Sequence, residues 1–116
     1  MNKRVIYGFL IILVISIGIL QLNIKIRHPQ SQADTQKLID VCIKECRDSI
    51  EKNEKLESGP CLLDPIKENS KWVCDIAHSP REQTDNLPEN QCQAFRNGIA
   101  QHFIEISPDC RLIKVS

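Results

Sequence analysis

Aromatic residues are scarce in this chain: one Trp, one Tyr and three Phe among 116 residues. Tyr7 and Phe9 fall in an apolar N-terminal run, which leaves Trp72, Phe95 and Phe103 for everything after it. Three large anchors make a thin core, so a small globular part must be held by more than burial. An excess of positive charge is also missing. The formal net charge is +0, and from Asp34 onward fifteen acids face eleven Lys and Arg, interspersed rather than blocked. A nucleic-acid partner, which needs a basic face to neutralise phosphates, is therefore not expected. No Cys-x-x-Cys occurs, so neither a zinc knuckle nor a thioredoxin-like redox motif is present. No EF-hand spacing, internal repeat or low-complexity tract is visible.

The longest apolar run is what organises the chain. From Val5 to Ile24 there is no charge, and only Ser16, Gln21 and Asn23 interrupt the apolar character. At 1.5 Å rise per residue, about twenty residues give roughly 30 Å, the thickness of a bilayer's hydrocarbon core. Lys3 and Arg4 precede the run; Lys25, Arg27 and His28 follow it. A cleaved signal would need a shorter core and a small-residue site close behind. The only candidate site, Ser31-Gln32-Ala33, lies beyond Lys25, Arg27 and Pro29. The expectation is an uncleaved single-pass anchor over residues 1–27, with the N-terminus cytoplasmic. Residues 28–33 read as a short polar linker, and residues 34–116 as one small domain.

Six cysteines, Cys42, Cys46, Cys61, Cys74, Cys92 and Cys110, all lie in that domain. Such density in a small domain suits an oxidising compartment, which places it outside the cell membrane. The bonds also supply the stability that the thin core lacks.

Asp34 to Lys55 reads as an amphipathic helix. Ile39, Cys42, Ile43, Cys46 and Ile50 form one stripe of a 3.6-residue period. Asp34 or Thr35 is placed to cap it, and Ser58-Gly59-Pro60 to stop it. Cys42 and Cys46 share the stripe one turn apart, so each is expected to bond a different segment rather than the other. If the chain doubles back after Pro60, the nested pairing is Cys46–Cys61, Cys42–Cys74 and Cys92–Cys110, one of fifteen possibilities.

Beyond the helix the period changes. Cys61-Leu62-Leu63 and Lys71–Ala77 read as a hairpin, with Trp72, Cys74 and Ile76 on one face and Val73, Asp75 and Ala77 on the other. Residues 78–88 form a proline-containing loop. Pro88–Asn97 reads as a short helix with Gly98 as its stop. Ile99–Ile106 and Arg111–Val115 read as two strands, joined by a tight Ser107-Pro108-Asp109-Cys110 turn. The fold class is α+β: an N-terminal transmembrane helix, then an amphipathic helix packed on a small, mostly antiparallel sheet, stapled by disulfides.

The candidate binding residues are Trp72, Asp75, His78, Arg81 and His102. Asp75, His78 and Arg81 sit where a strand runs out into a loop, a frequent place for ligand contacts. Two histidines and an acid can also do acid–base or metal chemistry. Against this stands a structural reading: His78 and Arg81 pin the loop by bonding Asp75 or Asp85, and Trp72 fills the core. Ser79 beside His78 is no triad signal, since neighbours in sequence do not set nucleophile geometry. Asp85, Glu89 and Asn90 offer oxygens to a cation but suit caps and turns better.

The stretch Gly59-Pro60-Cys61, Trp72-Val73-Cys74-Asp75, His78, Pro80-Arg81, Asp85-Asn86, Pro88-Glu89-Asn90-Gln91-Cys92, Phe95-Arg96, Gly98 and His102-Phe103 resembles small membrane-anchored, cysteine-containing proteins encoded in archaeal genomes. The resemblance covers the last half of the chain. It implies location and framework, with no activity attached. The functional expectation is a non-enzymatic extracytoplasmic module that binds a protein or envelope component. No cofactor, metal or catalytic residue is expected. The alternative is a small metal-dependent enzyme or hydrolase using Asp75, His78 and His102.

Overall fold

The computed structural model describes the backbone of residues 2–116 and the side chains of residues 2–17 and 31–116. Helix α1 spans Lys3–Glu51, and the chain divides into two compact units, Met1–Thr35 and Gln36–Ser116.

In the first unit every large apolar side chain from Val5 to Ile17 is exposed. Apolar character all round a helix, rather than along one stripe, does not suit a helix surrounded by water. Among the described residues, no helix is long and apolar enough to cross a membrane, and residues 18–24 of the expected span lie outside the described side chains. Residues 28–33, expected as a linker, fall within the bounds of α1. Asp34 and Thr35 do not cap a helix start. Thr35 Oγ1 donates to the Ser31 carbonyl at 3.0 Å, the back-bond of a residue inside a helix.

The second unit begins with the C-terminal part of α1. This stops at Glu51, short of the expected Lys55, because Asn53 takes a left-handed φ of 61°. The Asn53 and Glu54 N–H groups then donate to Ile50 and Ser49 at 2.9 and 3.0 Å, satisfying carbonyls the helix leaves free.

Strands β1 (Cys61–Leu63), β2 (Trp72–Ile76), β3 (His102–Ile106) and β4 (Leu112–Val115) form one sheet in sequence order. β1–β2 and β3–β4 are antiparallel, while β2–β3 is parallel. The sheet is thus mixed: two of its three strand pairs are antiparallel, and the central pair is parallel. The cause is the long segment between Ile76 and His102, which can cross over and return in the same direction, as a tight turn cannot. It holds a short 3-10 helix (Gln83–Asn86) and helix α2 (Gln93–Arg96). α2 is shorter than the expected Pro88–Asn97, since residues up to Gln91 are taken up in turns closed by Asn90 to Leu87 and Gln91 to Pro88.

The alternation in β2 and β3 divides the core between two faces. Cys74, Ile76, Ile104 and Ile106 are fully buried against Leu38, Ile39, Cys42 and Cys46 of α1. Each such buried Ile is worth about 1.5–3 kcal/mol over an exposed one. On the opposite face Val73 packs with Cys92, Ala94 and Ala100, with Cys61 and Phe103 alongside.

The disulfides follow these faces. Cys42 bonds Cys74, Cys46 bonds Cys110, and Cys61 bonds Cys92, with Cα atoms 5.8, 5.7 and 5.1 Å apart. The expected Cys46–Cys61 and Cys92–Cys110 pairs are corrected. Cys61 sits opposite Asp75 in the ladder and joins the cluster away from α1, so it cannot meet Cys46. Cys46 instead reaches the turn before β4.

Candidate functional site

The face of the sheet away from α1 carries a cleft of about 600 Å³. Asp75 and Glu105 lie side by side on its floor, because parallel β2 and β3 pair these two residues in register. Phe103 lies beside them on β3, and Lys114 Nζ sits 5.1 Å above its ring. Phe95 and Arg96 come from α2, with Phe95 edge-on to Phe103 at 5.2 Å. Asp64, just past β1, holds α2 in place: its carboxylate accepts from the Gln93 and Ala94 N–H groups at 2.6 and 2.8 Å.

Arg81 closes one side. Its guanidinium donates to Glu105 Oε1 at 2.6 Å, to Asn86 Oδ1 at 2.9 Å and to the Asp85 carbonyl at 3.4 Å. Glu105 thereby has a partner for its buried charge. Among the described residues Asp75 has no ion-pair partner, and its Oδ1 is buried without a hydrogen bond. Burial, and then the neighbouring Glu105 carboxylate, push the Asp75 carboxyl up to about 8, against the opposing pull of Arg81. Asp75 is therefore a carboxylic acid that keeps its proton through neutral pH.

The crossover loop has a separate hub at Asp85, which is 2% exposed. Its carboxylate accepts from the backbone N–H groups of His78 and Glu82 at 3.0 and 2.9 Å and bonds His78 Nδ1 at 2.8 Å. Burial would raise its pKa, but these donors outweigh burial and hold the carboxyl below its usual range. Gly59 makes room for it. At φ 72° a Cβ there would stand 2.7 Å from Asp85 Oδ1, so no larger residue fits without a shift.

Of the sequence-predicted residues, Asp75 and Arg81 meet in the cleft. His78 lies in the loop, paired with Asp85 rather than with Asp75. Trp72 and His102, neighbours in the ladder, stack at 4.6 Å, with Trp72 packed against the α1-side core. The two histidines and Asp75 thus do not share a pocket. Glu105, Phe95, Phe103 and Lys114 were not singled out from sequence. The alternation in β3 puts Phe103 and Glu105 on the face opposite Ile104, but that they meet Asp75 depends on the parallel register.

For a metal, the nearest cluster is Cys61, Cys92 and Asp75, whose Sγ and carboxylate atoms lie within 4.8 Å of one another. The two sulfurs are bonded together, so neither is a thiolate ligand in this state. No family model, curated protein or solved structure matches the chain.

Proposed function

We propose that the chain is a single-pass membrane protein with a cytoplasmic N-terminus. Its disulfide-stapled domain is an extracytoplasmic, non-enzymatic module that binds a segment of a protein or envelope partner in the cleft. The apolar run of residues 5–24 is the anchor. The all-round apolar exposure of residues 5–17 supports this placement, and the three disulfides fit an oxidising compartment.

The observation that carries the binding reading is the lining of the cleft. Aromatic rings and long cationic side chains flank a floor with one paired and one unpaired acid, while both histidines lie elsewhere. Aromatic and Arg anchors are typical of surfaces that hold a partner. The enzyme alternative needs Asp75, His78 and His102 in one pocket, and the register separates them.

A photo-crosslinking residue tests this in the membrane-embedded full chain. Placed at Gln91, in the cleft wall, it should yield one discrete adduct; placed at exposed Lys67, between β1 and β2, it should yield none. Adducts from Lys67 alone would move the binding surface elsewhere. A metal-dependent hydrolysis abolished by His102→Ala would replace the reading with the enzyme alternative. Protease added to intact spheroplasts should remove the domain; protection of residues 34–116 would reverse the orientation.

A further inference from the structure

One of the three disulfides differs from the others in its surroundings. Cys42, Cys46, Cys74 and Cys110 are buried, in the α1-side core or at its rim. Cys92 is buried as well, in the smaller cluster with Val73, Ala94 and Ala100, and it lines the cleft. Cys61 alone among the six is only half-buried. The Asp75 carboxyl stands within 4.8 Å of both Cys61 Sγ and Cys92 Sγ, and its Oδ1 has no other partner. The Cys74 carbonyl oxygen is also close to both sulfurs, 3.6 Å from Cys61 and 3.5 Å from Cys92.

Resting on the reading of the cleft as a partner-binding surface and going beyond its non-enzymatic part, the geometry points to thiol–disulfide exchange at Cys61–Cys92, with a cysteine thiol of the bound partner as the incoming group and Asp75 as the proton donor to the leaving sulfur. Exchange begins with a thiolate attacking one sulfur of a disulfide and expelling the other. Cys61, half-buried where Cys92 is buried, is the less enclosed residue of the pair and offers the target sulfur. As the new bond from the partner's sulfur to Cys61 Sγ forms, the Cys61–Cys92 bond breaks and its electron pair stays on Cys92 Sγ. A thiolate on Cys92 would be held among apolar side chains, where its basicity is raised and it leaves poorly. The Asp75 proton passes to that sulfur, giving the Cys92 thiol and the Asp75 carboxylate. The Cys74 carbonyl is in place to accept from the new S–H. Asp75 recovers its proton from water in the cleft. The products are a Cys61–partner mixed disulfide and one free thiol, with no outside oxidant or reductant needed for the step. A second partner thiol can then attack the mixed disulfide, releasing the partner oxidised and leaving both Cys61 and Cys92 reduced.

A carboxyl that holds its proton up to about pH 8 suits this role, because an ordinary one would already be ionised at neutral pH. The other two disulfides serve as internal controls: they share the chain and the reductant but lie in the α1-side core or at its rim, away from Asp75.

The test uses the full chain in detergent with reduced glutathione as the thiol, quenching at intervals and mapping alkylated cysteines by mass spectrometry. Cys61–Cys92 should open at least about tenfold faster than Cys42–Cys74 or Cys46–Cys110, with glutathione on Cys61 and the free thiol on Cys92. Asp75→Asn, which keeps all three disulfides, should slow that opening by about 100-fold at pH 7, a typical loss for a missing general acid. It should leave the other two rates unchanged, and the ratio of Cys61–Cys92 opening to theirs, which in wild type falls as pH rises through about 8, should become independent of pH. Equal opening of all three bonds, glutathione on Cys92, or an unchanged rate in Asp75→Asn would each overturn the proposal.

Discussion

The two faces of the four-stranded sheet are built from the same strands and solve opposite problems. Toward α1, Cys74, Ile76, Ile104 and Ile106 are fully buried, and the Cys42–Cys74 bond ties helix to sheet directly. Away from α1, residues one step along the same strands carry Asp75 and Glu105, and a cleft replaces the packed helix. Each face has a cross-link, but the α1 face is specified by packed volume, whereas the other adds a few polar partners to a smaller apolar cluster. A domain with three large aromatics cannot fill both faces. The α1 face, with the larger buried cluster, leaves the other free to hold charge that a close-packed core would exclude.

Ile104→Ala set beside Glu105→Gln tests the contrast most strongly. Removing Ile104 from the α1 face should cost about 2–5 kcal/mol by denaturant unfolding. Glu105→Gln, one residue along, removes an ion pair whose Arg81 side is 42% exposed and should cost no more than about 1 kcal/mol. Equal costs would mean that the two faces form a single core.

Asp75→Asn should sharpen the contrast through pH. A carboxyl raised to about 8 in the fold, against about 3.9 in an unfolded chain, is bound to a proton more tightly when folded. Its contribution is full below the unfolded value and falls as pH rises toward the folded value. Wild-type stability from this group should therefore decline between about pH 4 and 8. Thermal unfolding of Asp75→Asn should lack that decline, so the variant gains on wild type at pH 8 and not at pH 4. Parallel pH profiles would show that Asp75 is not held protonated.

The smallest effect is expected in the crossover loop. His78→Ala should cost about 1 kcal/mol, the worth of one hydrogen bond. Its partner Asp85 has a lowered folded-state pKa, so the carboxylate's contribution is present above about 3.9 and lost as pH falls through the folded value. The difference between wild type and His78→Ala should fade in that acid range. Added zinc or a chelator should change neither melting temperature. A zinc-dependent gain in wild type, absent in the variant, would make His78 a metal ligand.

Much of the scaffold could be read locally. The alternation Trp72-Val73-Cys74-Asp75-Ile76 assigns each side chain to the face it occupies, and Ser107-Pro108-Asp109-Cys110 is the turn its proline suggests, closed by Cys110 N–H to Ser107 at 2.8 Å. What was hidden is non-local. The direction of β3 depends on how the crossover packs, and a hairpin pattern carries no trace of it. Cysteine pairing is expected from the chain doubling back along the helix, which gives Cys42–Cys74 correctly, but the other two bonds follow which face each sulfur occupies. Cys61 therefore finds Cys92 in the cluster on the face away from α1, and a contiguous redox motif could not reveal the pair. Asp85 is expected in turn chemistry or as a partner of His78; that it also gathers two backbone N–H groups depends on Gly59, twenty-six residues earlier, leaving space for it.

The Cys46–Cys110 bond joins residues 64 positions apart, the widest span of the three. Ribosomes deliver a chain from its N-terminus, so Cys46 emerges long before its partner is made. For that interval Cys42, Cys46 and Cys61 are all present, and the first bond open to Cys46 is the short-loop bond to Cys61 that the finished fold forbids. The domain cannot be assembled by oxidising each cysteine as it appears. Its maturation depends on Cys46 being kept reduced, or on a wrong early bond being undone, until the last fifteen residues have arrived and the turn before β4 has closed.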